Sequence, residues 1–266
     1  IDLILQHRGG SNKRAQLENR LLDVIGEGQK LEFMSTDLLD LAGVDQLCEF
    51  LQDSGGVDYV VHLASPSVRS KIDDLVAVNY TSFEKIANAT IPGMLARQKG
   101  AIVSVGSVAT ERYIPGWQHY AAAKAMANQY ASGLDRNYSA FGLRGLTVML
   151  GLVATNFSRS ENILAPAMLP EEAADSICRL VLGAKIGQSV IVEIDHETNG
   201  RVGFYSNYKK TSYDLDEDTS PELEKDASGS RIVPRPPAPN DNGVLTDVHS
   251  FLKKILKLHA DFDLAG

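Results

Sequence analysis

Cysteine is scarce in this chain: Cys48 and Cys178 are the two among 266 residues. Both fall in helix-like segments. That is the pattern of buried, reduced thiols in a cytoplasmic protein, with a single disulfide as the alternative. Long apolar runs are lacking. No stretch approaches the about 20 residues needed to span a bilayer, so no membrane partner is expected. Positive charge is not in excess either. The formal net charge of −8 argues against a nucleic-acid or anionic-membrane surface. No metal site is expected. What remains is enough chain for one large α/β domain plus an appendage.

The stretch Ala101–Lys124 (AIVSVGSVATERYIPGWQHYAAAK) organises the rest. Ala101 to Val105 is a short apolar run between Gly100 and Gly106, which predicts a buried strand. A loop carrying Ser107 follows. Ala121 to Ala127 is dense in strong helix formers, so a helix is predicted to carry Tyr120 and Lys124. Four apart, those two lie on one helical face. The serine falls at the carboxyl end of the strand, where open α/β sheets place ligands.

Chemistry has a use for such a set. A phenol with a reference pKa of about 10 is a poor acid at neutral pH. An ammonium at ~4 Å, with an effective dielectric of ~20, favours the phenolate by about 4 kcal/mol, or roughly 3 pKa units before desolvation. A serine hydroxyl facing the phenol would hold a substrate oxygen. Together they make a proton donor and an oxyanion partner for C=O becoming C–OH.

Strand, glycine, serine, then tyrosine thirteen positions on, three alanines and lysine: this conjunction resembles the short-chain dehydrogenase/reductase superfamily, and within it the 3-oxoacyl-carrier-protein reductases. The resemblance implies a nicotinamide-dependent reductase. Tyr120 would donate the proton and Ser107 would orient the carbonyl. Lys124 would lower the tyrosine pKa and hold the nicotinamide ribose. Asn79, in LVAVNYTSF, matches the family's fourth catalytic residue, which supports a water-linked proton path to the lysine. The alternative is an ordinary mid-helix asparagine. The resemblance also implies a homodimer or homotetramer, because the helix after Tyr120 often pairs with its copy.

Along the chain, strands are predicted at 1–8, 31–34, 57–64, 146–150 and 190–194, and helices at 13–24, 44–52, 120–141 and from Pro170. The alternation gives an α/β fold with a doubly wound, parallel, Rossmann-like sheet. One element of that fold is missing. The superfamily's glycine-rich turn, TGxxxGxG, whose amides hold a pyrophosphate, occurs nowhere in the sequence. Residues 1–8 match the family's second strand. The expectation is a chain that begins partway into the domain, without the first strand and glycine-rich loop; loss of the loop itself is the alternative.

At the end of a second strand, an acid selects NAD and an arginine accommodates the 2′-phosphate of NADP. Arg8 and Ser11 stand there with no acid, so NADP (NADPH) is the expected cofactor. By resemblance, Asp37 contacts the adenine; the alternative is a helix N-cap, which Thr36 or Asp37 would serve. Ala64 is the one residue that HLAS (62–65) keeps of the family's NNAG, and His62 reads as a strand-end polar residue. In GLVAT (151–155), Val153 would meet the carboxamide and Thr155 would cap the contact. The loop 157–169 occupies the place of the family's substrate lid.

The expected organisation is a reductase-like domain over 1–205, an acidic and Pro-rich linker over 206–242, and an amphipathic helix over 243–266. That helix resembles the start of an acyl carrier domain, with a docking or dimerisation helix as the alternative. The expected function is NADPH-dependent reduction of a 3-oxoacyl thioester or related ketone in fatty-acid or polyketide-type biosynthesis. The substrate would be a small molecule or an acyl group tethered to a carrier protein. The alternatives are a sugar or alcohol dehydrogenase of the same superfamily and a non-catalytic scaffold.

Overall fold

The computed structural model describes residues 3–9, 15, 18, 21, 28–161, 167–183, 189–195 and 201–206. The linker expected over 206–242 (but for Ser206), the C-terminal helix expected over 243–266 and nearly all of the helix expected over 13–24 lie outside the described residues. Among the described residues, no helix is long and apolar enough to cross a membrane.

The elements alternate as the apolar periodicity predicts. They are β1 (Leu3–His7), β2 (Leu31–Ser35), α1 (Leu41–Asp53), β3 (Tyr59–His62), α2 (Ile72–Val76), a π-helical turn (Ala77–Thr81) and α3 (Ser82–Arg97). Then come β4 (Gly100–Ser107), α4 (Gln118–Tyr138), β5 (Leu143–Leu150), α5 (Asn156–Ser160), α6 (Pro170–Gly183), β6 (Ser189–Asp195) and β7 (Arg201–Ser206). Strands β3 to β6 form a parallel sheet in sequence order, and β7 adds antiparallel at its edge. That last strand was not expected from the sequence, where 190–194 is the final strand of a domain running to 205.

β4 is buried along its whole length because both its faces are covered. Ala101, Val103 and Val105 pack under α6 residues Ala173, Ile177 and Val181. Ile102 points the other way, into Phe83, Ala87 and Met94 of α3 and Ala127 and Ala131 of α4. Each such aliphatic side chain, buried from water, contributes roughly 1.5–3 kcal/mol.

β1 and β2 form a separate two-stranded parallel ladder, with Leu5 opposite Phe33. Among the described residues no ladder joins it to β3. The connection is made by side chains: Val44, Leu47 and Leu51 of α1 pack with Val78 and Ile86, and both Ile4 of β1 and Val60 of β3 join them. Among the described residues the strand ladders thus fall into two groups, β1–β2 and β3–β7.

Helix α4 lies unusually close to the sheet. A Cβ on Gly145 would sit 1.9 Å from the Ala131 carbonyl oxygen, and one on Gly106 would sit 2.6 Å from Asn128 Oδ1. Only glycine permits this approach. The buried Asp135 carboxylate accepts from the Gly145 amide at 3.1 Å, locking the helix in place.

Candidate active site

Three elements bring the expected residues together. Ser107 is the last residue of β4, not a loop residue as its sequence context suggests; its backbone is extended (φ −143°, ψ 147°) and its hydroxyl accepts from the Ala109 amide at 3.2 Å. Tyr120 and Lys124 project from the first two turns of α4 and are 6% and 4% exposed. Ser107 hydrogen-bonds the Tyr120 hydroxyl. Lys124 Nζ donates to the Val105 carbonyl at 3.0 Å and lies 6.0 Å from the Tyr120 ring centre.

The electrostatics correct the simple expectation. Burial pushes the Tyr120 phenol up to about 12, with the Ser107 hydrogen bond pulling the other way. Burial pushes the Lys124 ammonium down to about 7. Desolvation therefore dominates at both groups before any ligand binds. Below about 7 the lysine is charged, and above that it becomes a neutral amine held by one carbonyl.

Asn79 sits in the π-helical turn and is fully buried. Its Nδ2 donates to the Leu75 carbonyl at 2.9 Å, and its Oδ1 has no hydrogen-bond partner. The turn has local causes. The Val78 carbonyl accepts from Ser82 Oγ at 2.8 Å and from His62 Nε2 at 2.9 Å, so these side chains compete with the regular helix ladder. A carbonyl partner makes Nε2 the protonated nitrogen of His62. The ring also stacks on Phe83 at 5.0 Å, so His62 is the polar residue at the end of β3 that its sequence context suggests, and it is buried.

A cavity of about 430 Å³ connects these groups with the other expected residues. Arg8, Asp37, Ala64, Ser107, Tyr120, Lys124, Val153 and Thr155 all line it. Asn79 does not line it, although its neighbour Val78 does. Ser11 lies outside the described residues. Asp37 is exposed and accepts from the Leu39 amide at 3.0 Å. The N-cap of α1 is neither Asp37 nor Thr36 but Asp40, which accepts from the Ala42 amide at 3.1 Å. Thr155 caps α5 in a reciprocal pair with Ser158, so its side chain already has local work. Val153 forms a single bridge with Met168.

Three aromatic and aliphatic residues at the same end of the cavity escaped the sequence reading: Ile114, Trp117 and Phe157. The signal for Trp117 was its place three positions before Tyr120. Glu161 also escaped it. This buried carboxylate accepts from Ser67 Oγ and, at 3.2 Å, from Arg69 Nε, tying the β3–α2 loop to the end of α5. No local pattern announces a contact across 92 residues.

A protein-family model described as short chain dehydrogenase matches residues 9–163. The chain is 27% identical over 149 residues to the 3-oxoacyl-[acyl-carrier-protein] reductase of Vibrio cholerae, a match covering 53% of this chain and 60% of that protein. A short-chain dehydrogenase from Sphingobium yanoikuyae in complex with NADPH superposes with a TM-score of 0.57 at 23% identity, covering 63% of this chain and 69% of the other. A 3-oxoacyl-[acyl-carrier protein] reductase with bound NAD from Brucella melitensis gives a TM-score of 0.61 at 24% identity, covering 72% and 80%. At these identities the structural likeness establishes the fold. The family model spans more than half of the sequence, and on that footing the chain belongs to the short chain dehydrogenase family.

Proposed function

We propose that this chain is an oxidoreductase that reduces a ketone carbonyl with NADPH, the substrate being a 3-oxoacyl thioester or a related ketone. The substrate would be free or tethered to a carrier protein, in fatty-acid or polyketide-type biosynthesis, and the enzyme would work as a homodimer or homotetramer. The observation that carries the reading is the meeting of Ser107, Tyr120 and Lys124 at one end of a single cavity.

The cavity suits a dinucleotide at both ends. Arg8 and Asp37 stand at the ends of β1 and β2, where an adenosine ribose and its ring would be held. Ala64 offers close approach in between. Lys124, Val153 and Thr155 would hold the nicotinamide half. Among the described residues no glycine-rich turn lines the middle of this path. When bound, NADPH supplies the two reducing electrons as hydride to the carbonyl carbon.

The chain's own residues do the rest. Ser107 Oγ–H holds the carbonyl oxygen. Tyr120 O–H, kept protonated by burial, delivers its proton to that oxygen as charge develops on it. The phenolate left behind faces Lys124, whose cationic form stabilises it until a proton returns.

The test is an NADPH titration followed by nicotinamide fluorescence, with NADH beside it. Saturable binding that prefers NADPH is expected. Arg8→Ala should weaken NADPH binding by about tenfold while leaving NADH unchanged, since a charge-assisted phosphate contact contributes roughly 1.5–3 kcal/mol. Absence of binding by either nucleotide would overturn the reading in favour of a non-catalytic scaffold.

A further inference from the structure

The substrate end of the cavity has a chemistry of its own. Tyr120 is flanked by two aromatic rings: Trp117 stands edge-on at 5.6 Å, and Phe157 lies on another side at 6.4 Å. Both are half-buried, and both line the cavity. Ile114 extends the same wall. The wall is pre-formed. The Trp117 amide donates to the Ile114 carbonyl at 3.1 Å across Pro115 and Gly116, and Gly116 has φ +83°. Proline second and a positive-φ glycine third define a type II turn. Its rigidity holds Ile114 and Trp117 beside the phenol at little entropic cost on binding.

Among the described lining residues, the nearby hydroxyls of Ser65, Thr155 and Ser158 are committed to local bonds. Thr155 and Ser158 cap α5 reciprocally, and Ser65 Oγ donates to the Pro66 carbonyl at 3.1 Å. Ser107 and Tyr120 are thus left to serve one substrate oxygen. Among the described lining residues the cations are Arg8 and Lys124. Arg8 stands just beyond β1, at the far end, and Lys124 donates to the Val105 carbonyl. A sugar would bring several hydroxyls, and a keto acid a carboxylate, to a wall that offers them few partners.

We propose that the ketone this site takes carries an uncharged apolar substituent, aryl or alkyl, seated between the Ile114–Trp117 turn and Phe157. The proposal rests on the ketone-reductase reading of the same site and deepens it to a substrate class. Phe157 and Trp117 then act as specificity-determining residues, gripping the group beside the carbonyl and so aiming its oxygen at Ser107 and Tyr120.

Trp117 is the sole tryptophan of the chain, so its fluorescence reports this wall directly. The 266-residue protein is titrated with valerophenone, erythrulose and acetoacetate as the apolar, polyol and anionic probes, and each is then assayed for NADPH oxidation. Saturable quenching by valerophenone alone is expected, with turnover following the same order. Phe157→Ala should raise the valerophenone Kd and KM by roughly tenfold with kcat changed little, as expected for loss of one apolar contact surface. Phe157→Leu should restore most of the affinity, which separates lost contact from lost folding.

Quenching by erythrulose or acetoacetate at least as strong as by valerophenone would overturn the proposal. So would a valerophenone affinity indifferent to Phe157→Ala. Valerophenone binding without NADPH oxidation would uphold the apolar site and sink the reductase reading. Turnover of the polar probes without valerophenone binding would do the reverse.

Discussion

Tyr120 and Lys124 stand at one end of the cavity, on a helix pressed against β4 and β5 so closely that Gly145 has no room for a Cβ. Arg8 and Asp37 stand at the other end, on the two-stranded ladder of β1 and β2, which packs against the main sheet through the side chains around α1. The first end is fixed by backbone proximity and by strands covered on both faces. The second packs on the main sheet through apolar contacts around α1, and among the described residues no strand pairing joins β1 to β3. Chemistry that needs sub-ångström placement is on the rigid side, and the groups expected to grip a flexible nucleotide are on the looser one.

The largest expected effect attacks the rigid end. Gly145→Ala forces a Cβ into the Ala131 carbonyl and the Asp135 amide, 1.9 and 2.8 Å away. It should cost about 3 kcal/mol or more in urea unfolding. Gly133→Ala, in open space on the same helix, should instead add up to about 1 kcal/mol. Equal effects at the two sites would deny the tight approach.

Next, Tyr120→Phe removes the proposed proton donor while keeping the ring contacts with Trp117 and Phe157. Turnover should fall on the order of 10²-fold or more, with NADPH affinity little changed. Unaltered turnover would take Tyr120 out of its role.

The third experiment reads the buried ammonium. The folded pKa of Lys124, about 7, lies below its ordinary 10.5. As pH falls from the higher value, the unfolded chain takes up the proton first, and the folded chain follows only near the lower one. Stability is therefore lost as pH falls through that window. Lys124→Met removes the penalty. It should raise stability more near pH 6 than near pH 9, by a difference of about 2–3 kcal/mol in thermal or urea unfolding. A pH-independent effect would mean that the ammonium is not desolvated.

The smallest effect compares the two ends without mutation. Amides of the β1–β2 ladder should exchange with protection at least about 1 kcal/mol below those of β4 in native-state hydrogen exchange. Matched protection would show that the ladder and the main sheet open as one unit.

Much of this was legible in the sequence where the information is local. The apolar run after Gly100 announced β4, and the alanine-rich turn announced α4. The four-residue spacing of Tyr120 and Lys124 put them on one face before any coordinates. The α6 boundary was readable from Pro170 and the two acids behind it. Other features rest on contacts between distant segments. Ser107 belongs to β4 because Leu150 pairs with it. The antiparallel β7 was missed although Asn199-Gly200, a sequence signal for a hairpin, stands just before it. Asp40 rather than Asp37 caps α1 because the chain after β2 makes an extra turn, with the Asp40 amide bonded to the Asp37 carbonyl at 3.0 Å.

The sequence by itself determined the alternation of strands and helices and singled out Ser107, Tyr120 and Lys124 as the proposed reacting trio, because periodicity, capping and motif spacing act over a few residues. Only the tertiary structure decided how those groups behave. Burial by residues far apart in the chain sets the Lys124 and Tyr120 proton affinities. The meeting of the Ile114–Trp117 turn with Phe157 gives the site its apolar wall. Both depend on which surfaces exclude water, and that is a property of the packed molecule rather than of any one stretch of it.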